Sequence, residues 1–523
     1  MDAEDESRVK ESTAERMRRR VLVLLAFGCT ILTFINMGSI TAATPDLSGT
    51  FVVGVLDVSW SGAACPLGTA LSFSVASYLW ARIGLRRALR FGLLLMVGGS
   101  ALALVADHFL MMIVARLVQG FGGGLALAYG AGVMAAALPR EALAWPMGLR
   151  LYSLGMASCI SPVVGCFLVQ YGSWRMLFVL TGAAALLMAL VTSIFVPNAR
   201  IPKQGKFDWF SFLSLGMSCL CMLMVLIDGE TEGWTSPYVM AWGYGAFCFL
   251  ALTAISCLNH KSPLLDFSVL KNYRFMCALI ASLCNIFCVC WIRAGTVQFM
   301  RNTMSYDPVH IALVFSVLVA SFCVGAACVL PLMVRGKLAL RVGMMAGLLG
   351  LSGAAFLLAR LHTGSSWLDV AWPLAVFGVG YAFCINTGSP LIMRGVPPER
   401  AASSARTMHT VRFLFIALFA SSVSTVLAHM KTNYQFSVAE QTREGAPGAV
   451  ATMDMWQRHF ADAGQTAGQV HAGANAVLNK AVSLQSQIFS TDYFYLCIAM
   501  VGAAGVLFAL FCFRVRANQP TNA

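Results

Sequence analysis

The sequence predicts an all-α polytopic protein that crosses a membrane about fourteen times. Of its 523 residues, 58% are hydrophobic and only 11% are charged, and the mean hydropathy is +0.74. The apolar residues form runs of about 20 residues, the length that a helix needs to cross a bilayer. The runs lack the alternation of apolar and polar residues that marks the strands of a membrane barrel. We therefore expect a bundle of membrane helices.

The predicted spans follow one another along nearly the whole chain. They lie near residues 21 to 44, 58 to 80, 91 to 106, 110 to 137, 144 to 170, 176 to 196, 210 to 227, 238 to 258, 275 to 298, 309 to 330, 342 to 360, 370 to 392, 407 to 429 and 491 to 513. An even number of spans places both termini on one side.

Basic residues indicate which side that is. Residues 1 to 20 end in a basic cluster, and every second loop after them is also basic. These loops carry Arg82, Arg86, Arg87, Arg90, Arg140, Arg200, Lys203, Lys206, Lys261, Lys271, Arg274, Arg335, Lys337, Arg341, Arg394, Arg400, Arg514 and Arg516. The positive-inside rule then predicts cytoplasmic termini. The net charge of +13 follows from this orientation, so a nucleic-acid partner is not needed. The first span is expected to be retained and not cleaved as a signal peptide.

One predicted outer segment, residues 430 to 490, is long and polar. Within it, apolar residues recur at helical spacing and predict an amphipathic helix; they are Val470, Ala474, Val477, Leu478, Ala481, Leu484 and Ile488. Two interpretations stay open. The segment is either a hairpin packed on its own chain or a docking site for an extracytoplasmic partner.

The fifth predicted span is built from small residues. Gly155, Ser161 and Gly165 allow a neighbouring helix to approach closely, and Pro162 removes one backbone hydrogen bond and favours a bend. A bent helix with a small-residue face is either a packing seam or a hinge along which two helical bundles rock.

Arginines inside the predicted spans are the strongest candidates for a functional site, because a buried charge is costly and tends to face a cavity or a partner. Arg116 and Gln119 lie one helical turn apart on one face, which predicts a central polar network. Arg150 and Arg293 lie nearer the ends of their spans, and we expect them to snorkel toward the membrane surface.

Carboxylates are scarce where coupling to protons would need them. Asn36, in the first span, cannot titrate. Asp228, at the outer end of the seventh span, is the nearest carboxylate at the membrane edge, and it is either a coupling group or a solvated helix cap.

Other chemistry lacks a sequence signal. No phosphate-binding loop, metal-ligand spacing or catalytic triad is evident, so we expect neither an enzyme nor a bound metal or cofactor. The 17 cysteines lie in apolar runs and are expected to be small buried residues.

Several motifs in order along the chain carry a resemblance to a known family. A basic turn holds Arg82, Gly84, Arg86 and Arg87; Arg116 is followed by Gln119 and Gly120; and the fifth-span stretch is followed by Trp174 and Arg175. Later matches are Asp208, Trp209, Asp228, Gly229, Trp234, Asp266, Arg274, Trp372, Pro373, Arg400 and Arg412. The chain resembles the fourteen-span drug:proton antiporters of the major facilitator superfamily, the EmrB/QacA type. It is most similar to the Gram-negative EmrB-type members, which work with a periplasmic adaptor and an outer-membrane channel.

The resemblance implies a domain plan and a location. A cytoplasmic tail, residues 1 to 20, precedes a six-helix half at 21 to 196. A linker at 197 to 209, two inserted helices at 210 to 258 and a second linker at 259 to 274 follow. The second half spans 275 to 513, contains the periplasmic loop 430 to 490, and is followed by a tail at 514 to 523. The expected location is the bacterial inner membrane with both termini cytoplasmic.

The resemblance also implies an export function. It implies multidrug efflux of small, largely apolar compounds in exchange for protons, and hence antibiotic resistance. Implied substrate-path candidates are Asn36, Thr41, Arg116, Arg293 and Gln298, and the basic turn of Arg82, Gly84, Arg86 and Arg87 would form a cytoplasmic gate.

Asn36 departs from the family pattern, because the related first-span motif usually places an Asp there. Three hypotheses remain: a multidrug antiporter with an adaptor, a dedicated exporter of one metabolite or siderophore with different coupling, which the missing Asp favours, or a non-transporting membrane scaffold or sensor.

Overall fold

The computed structural model describes residues 13–139, 142, 144–202, 205–260, 263–336, 338–362, 364–394, 396–441, 447–464 and 466–511. Its α-helices are α1 Thr13–Gly38, α2 Thr44–Phe51, α3 Val55–Ile83, α4 Leu85–Leu104, α5 Phe109–Ala137, α6 Ala144–Tyr171, α7 Arg175–Phe195, α8 Trp209–Glu232, α9 Pro237–Asn259, α10 Phe267–Leu270, α11 Tyr273–Asn302, α12 Pro308–Val334, α13 Leu340–Leu358, α14 Trp367–Met393, α15 Ala401–Gln441, α16 Pro447–Asp462 and α17 Ala467–Phe511. Short 3-10 helices cover Ser39–Ala43 and Pro398–Arg400.

Within the described residues, thirteen helical segments are long and apolar enough to cross a membrane. Helix α3 is equally long but is not among them, and it is rich in serine; it forms the second predicted span and is mostly buried between its neighbours. Each of the fourteen predicted spans thus corresponds to a long helix. The prediction of an all-α polytopic membrane protein is confirmed.

Helices α1 to α7 pack on one another and form what we call the first bundle. Its closest contact joins α3 and α5, where a Cβ on Gly120 would lie 1.9 Å from the carbonyl oxygen of Cys65. A Cβ on Gly124 would lie 1.9 Å from the Ser72 hydroxyl. Only glycine permits this approach, and the close contact replaces the hydrophobic drive that is missing between helices in lipid.

Helices α11 to α15 and α17 form the second bundle. Trp291 of α11 stacks on Phe494 of α17 with ring centroids 4.7 Å apart. The two bundles meet mainly along two helix pairs, α3 with α15 and α6 with α12, and α6 also contacts α14. Helix α8 packs on α9 and contacts α3 and α15. The domain boundaries given above stay predictions.

The predicted outer segment, residues 430 to 490, is helical over most of its length. Helix α15 continues to Gln441, α16 follows, and α17 begins at Ala467. Tyr434 stacks on Tyr493 with ring centroids 5.3 Å apart, and α16 packs on α17. In the predicted amphipathic helix, Ala474 and Ile488 are buried against the chain itself, whereas Ala481 is exposed. The described part of the segment therefore packs on its own chain as a hairpin of helices, and its role as a docking site stays a prediction.

Candidate functional site

A buried polar network surrounds Arg116 of α5. Its Nη1 donates to the Asn36 side-chain oxygen at 2.8 Å and to the Gln119 side-chain oxygen at 2.9 Å. Its Nη2 donates to the Asn36 carbonyl at 2.9 Å, and its Nε to the Ser61 carbonyl at 3.3 Å. Arg116 is 1% exposed, and Phe178 lies with its ring centroid 5.9 Å from the guanidinium carbon. All the hydrogen-bond acceptors of this arginine are neutral, so its charge is solvated by dipoles.

The network continues through Gln119, which donates to the Ser100 hydroxyl at 2.7 Å. The spacing of Arg116 and Gln119 therefore brings them together as their shared helix face predicts. Asp228 belongs to a different place: it lies one turn before the end of α8 and accepts a hydrogen bond from the Tyr238 hydroxyl at 3.2 Å. None of the hydrogen bonds described for Arg116 reaches Asp228.

A cavity of about 570 Å³ lies between the two bundles. The first bundle contributes residues of α1, α3, α5 and α6, and the second contributes residues of α11, α14 and α15. Its walls are largely apolar, with Phe34, Phe73, Ile286, Phe413 and Ile416 among the lining residues. A volume of this size accommodates a drug-sized molecule.

Four arginines also line the cavity: Arg150, Arg293, Arg406 and Arg412. Neither aspartate nor glutamate lines it among the residues that the structure describes. Over those same residues, no carboxylate lies within 4.0 Å of these guanidinium groups. The cavity thus has largely apolar walls, and the charged side chains among them are arginines.

Arg293 joins the two bundles. It extends from α11 to α6, where Nη1 donates to the Ser158 hydroxyl and Nη2 to the Ser161 hydroxyl, each at 2.8 Å. Gly38 of α1 makes room for this contact, because a Cβ there would lie 2.8 Å from Nη2 of the arginine. The predicted snorkelling of Arg293 is wrong, since two hydroxyl partners on the facing helix hold the side chain inside the protein.

Arg150 does not snorkel either. Its Nη2 donates to the Leu127 carbonyl of α5, and the side chain lines the cavity. The snorkelling prediction considered only the position of each arginine along its own helix. Acceptors on neighbouring helices decide the outcome.

Helix α15 carries three basic residues whose place in the cavity was not predicted from the sequence. Arg406, His409 and Arg412 all line the cavity, and His409 stacks on Phe73 with ring centroids 4.9 Å apart. Arg406 donates to the Pro263 carbonyl at 2.8 Å. Spacings of three residues inside an apolar helix place these side chains on one face, a pattern that could have been found in the sequence.

Arg406 differs from the other three arginines because Asp266 lies close enough to attract its charge. Burial raises the pKa of Asp266, but hydrogen bonds from Ser268 and Ser403 lower it more, so the net shift is downward. Asp266 is consequently an anion at neutral pH and a partial counter-charge for Arg406.

The predicted substrate-path residues divide into two groups. Thr41, Arg293 and Gln298 line the cavity. Asn36 and Arg116 are 2% and 1% exposed and are not among the lining residues, although Ser61, which accepts from Arg116, is. The polar network therefore supports one wall of the cavity from behind.

The predicted hinge helix α6 lies at the boundary between the bundles. A Cβ on Gly155 would lie 2.3 Å from the ring of Phe322 on α12. On the other side, a Cβ on Gly165 would lie 2.4 Å from the Ser39 carbonyl. Pro162 is inside the continuous helix and lines the cavity. These glycines meet the close neighbours that the sequence predicts.

The basic turn between α3 and α4 is attached to the end of α7. Gly84 has a φ of +86°, and Arg86 donates to the Val196 carbonyl. The Leu85 amide donates to the Ala199 carbonyl at 2.8 Å, and Arg82 lies over the ring of Tyr78. Glycine suits this turn because its positive φ is unfavourable for other residues.

Comparison with known proteins reveals a consistent set of similarities. The Major Facilitator Superfamily profile matches residues 26–420. The chain is 26% identical over 421 residues to multidrug resistance protein Stp of Mycobacterium tuberculosis, covering 79% of this chain and 76% of that protein. It is 22% identical to the drug efflux pump JefA of the same species, covering 78% of this chain and 81% of that protein. Over 49% of this chain and 55% of the other, it is 30% identical to the methylenomycin A resistance protein of Bacillus subtilis.

Proposed function

Because the chain belongs to the Major Facilitator Superfamily of transporters, we propose that it exports small, largely apolar compounds from the cytoplasm. The observation that carries this proposal is the cavity of about 570 Å³ to which both bundles contribute. A ligand held between two bundles is released to either side when the bundles rock against each other. The names of Stp and JefA, a multidrug resistance protein and a drug efflux pump, support drugs and toxic organic compounds as substrates.

The proposed moving parts are the two halves at residues 21 to 196 and 275 to 513, with residues 210 to 258 inserted between them. Helix α6 would act as the hinge, because it contacts α1 of one bundle and α12 and α14 of the other. The proposed location is the bacterial inner membrane with cytoplasmic termini. The basic turn of Arg82, Gly84 and Arg86 would then lie at the cytoplasmic side as a gate.

Two candidate functions differ in what drives export. A proton antiporter of broad specificity is the first, and Asp228 is then the candidate coupling group. Asn36 favours the second candidate, a dedicated exporter of one metabolite or siderophore that is driven differently. The Asn36 side-chain oxygen accepts a hydrogen bond from Arg116 at the position where the related motif usually has an Asp. An amide does not ionise in the physiological pH range.

A periplasmic adaptor with an outer-membrane channel is the proposed partner of the hairpin formed by the ends of α15 and α17 with α16. Deleting residues 457 to 486 should leave membrane insertion intact and abolish capture of the adaptor in a pull-down. Undiminished capture by the shortened chain would refute the docking role.

A substitution that fills the cavity tests the export proposal. Gly62 lines the cavity, and a Cβ there would meet nothing within 4 Å, so Gly62→Trp should occupy the cavity without a backbone clash. Gly98 is exposed, has no neighbour within 4 Å of its Cβ position in the described part of the chain and is not among the lining residues, so Gly98→Trp is the matched control. Efflux of a panel of lipophilic dyes and drugs is measured in expressing and non-expressing cells, with and without a protonophore.

We expect expression to lower cellular accumulation of at least one compound, Gly62→Trp to abolish the effect, and Gly98→Trp to retain it. Equal accumulation in expressing and non-expressing cells would refute export of these compounds. Efflux that persists with the protonophore would argue against proton antiport and favour the second candidate.

A further inference from the structure

The charged side chains that line the cavity indicate a class of ligand more closely than the cavity volume does. Arg150, Arg293 and Arg412 line it from three different helices, α6, α11 and α15. Arg293 and Arg412 both act electrostatically on the Tyr381 hydroxyl, and Arg150 and Arg412 both act on the His409 ring. The three guanidinium groups therefore bring positive charge to one cavity from three helices.

Neutral groups are the hydrogen-bond partners of all three. Arg293 donates to two serine hydroxyls, Arg412 donates to the Ser389 hydroxyl at 2.7 Å, and Arg150 donates to a backbone carbonyl. Each guanidinium has five N–H donors, so several remain for a ligand. Among the residues that the structure describes, the Nε atoms of Arg150 and Arg293 are buried and have no hydrogen-bond partner.

Hydroxyl and carbonyl dipoles do not neutralise a full charge. Confining like charges in a region of low dielectric constant is unfavourable, and an anion removes part of that penalty when it binds. A ligand that brings a negative charge is consequently favoured here over a neutral molecule of equal shape. A cationic ligand is disfavoured by the same charges.

Aromatic side chains lie beside the charged groups. Phe73 stacks on Phe413 with ring centroids 5.4 Å apart and also on His409, so the surface next to Arg412 is apolar. One part of the cavity can thus bind an acid group while the adjoining part binds a hydrocarbon or a ring.

We infer that the exported compounds are amphipathic organic anions, whose carboxylate, sulfonate or phosphate binds Arg293, Arg412 and Arg150 while the apolar part lies against Phe73 and Phe413. This inference rests on the proposed export function and specifies its substrate class. Guanidinium groups suit all three acid groups because they donate two parallel hydrogen bonds to adjacent oxygens.

The test compares three ligands that share a naphthalene ring and differ in charge. They are 1-naphthylacetate, its neutral amide, and the cationic 2-(1-naphthyl)ethylammonium. Binding to the full-length protein in nanodiscs is measured by equilibrium dialysis against empty nanodiscs. The acetate should bind roughly tenfold or more tightly than the amide, and the ammonium compound most weakly, as expected for hydrogen bonds with charged groups.

Variants identify the arginines responsible. Arg412→Gln and Arg293→Gln should remove the preference for the acetate, and Arg412→Lys should restore part of it by restoring the charge. Arg360→Gln is the control, because Arg360 lies over the ring of Phe356, is exposed, and is not among the lining residues. Equal binding of all three ligands to the wild-type protein, or binding of none, would overturn the inference.

A second measurement needs no arginine variant. Cys290 lines the cavity one helical turn from Arg293, so its thiol reports the local potential. Its modification is followed by mass spectrometry with the anionic 2-sulfonatoethyl and the cationic 2-(trimethylammonium)ethyl methanethiosulfonate, and each rate is divided by that of free 2-mercaptoethanol. The anionic reagent should be favoured about tenfold or more. A normalised ratio near one, or a preference for the cationic reagent, would overturn the inference.

The export proposal and this inference fail separately. Preference for the anion without any efflux from cells would leave the cationic cavity standing and refute export. Efflux of neutral and cationic compounds, blocked by Gly62→Trp and insensitive to Arg412→Gln, would support export and refute the anionic substrate class.

Discussion

Removing the two hydroxyls that hold Arg293 should loosen the contact between the bundles. In the double variant Ser158→Ala, Ser161→Ala, the guanidinium loses both of its hydrogen bonds to α6, each 2.8 Å long in the wild-type protein. Its Nε has no partner among the described residues even in the wild-type protein, so the charge becomes less well solvated. Conformations in which α6 and α11 separate then gain population.

The size of the effect follows from the type of bond. Hydrogen bonds with a charged group contribute about 1.5 to 3 kcal/mol, and hydrogen bonds between membrane helices reach about 1.7 kcal/mol. At about 1.5 kcal/mol each, the two bonds contribute about 3 kcal/mol, or roughly a 150-fold change in the equilibrium between closed and open contacts. The two serines share one partner, so the single variants need not add to this value.

Cys159 is a native reporter of this opening. It lies on α6 between the two serines, is 0% exposed, and packs in a cluster with residues of the second bundle. A hydrophilic thiol reagent reaches it only when the contact opens, so the rate of modification follows the open population. We expect the rate at Cys159, measured by mass spectrometry in nanodiscs, to rise on the order of 100-fold in the double variant.

Ser153→Ala is the control, because the Ser153 hydroxyl donates only to the Arg150 carbonyl within its own helix. It should leave the rate at Cys159 close to that of the wild type. If the double variant reacts no faster than this control, the assignment of Arg293 as the bond between the bundles is wrong.

Two further predictions concern the first bundle. Asn36→Asp replaces an amide that accepts from Arg116 at 2.8 Å with a carboxyl group that can exchange protons, and export should become dependent on pH, as measured by dye efflux from cells at several pH values. A profile that coincides with that of the wild type would contradict the role given to this position. Gly120→Ala forces a Cβ to within 1.9 Å of the Cys65 carbonyl oxygen and should lower the stability of the fold by about 2 kcal/mol or more. Gly98→Ala is the control and should be neutral, because its Cβ would have nothing within 4 Å. Thermal unfolding in detergent compares the two variants.

Local patterns in the sequence account for the helices and for the pairing of Arg116 with Gln119. An apolar run long enough to cross the membrane has few alternatives to a helix, because its backbone N–H and C=O groups must form hydrogen bonds within the segment. Likewise, a spacing of three residues on one helix makes contact between the two side chains possible without knowledge of the tertiary structure. The observed distance from Arg116 Nη1 to Gln119 Oε1 is 2.9 Å.

The remaining parts of the site depend on contacts between distant segments. Arg293 binds serines that are 135 and 132 residues away, so its position along its own helix says nothing about where the guanidinium ends. The helices of the hairpin also depend on distant contacts, because the polar composition of residues 430 to 490 is by itself typical of a loop. Stacking of Tyr434 on Tyr493, 59 positions further along, helps hold the two ends together as helices.

The amide at Asn36 has an electrical consequence. Because Asn36 does not ionise, the charge of its pair with Arg116 stays constant when the protein changes conformation. An organic anion carried outward without a returning proton moves net negative charge out of the cell. In a cell whose interior is negative, the membrane voltage favours that step by about 2.3 kcal/mol per charge for every 100 mV. Such transport is electrogenic, and a steady current accompanies it in a voltage-clamped membrane.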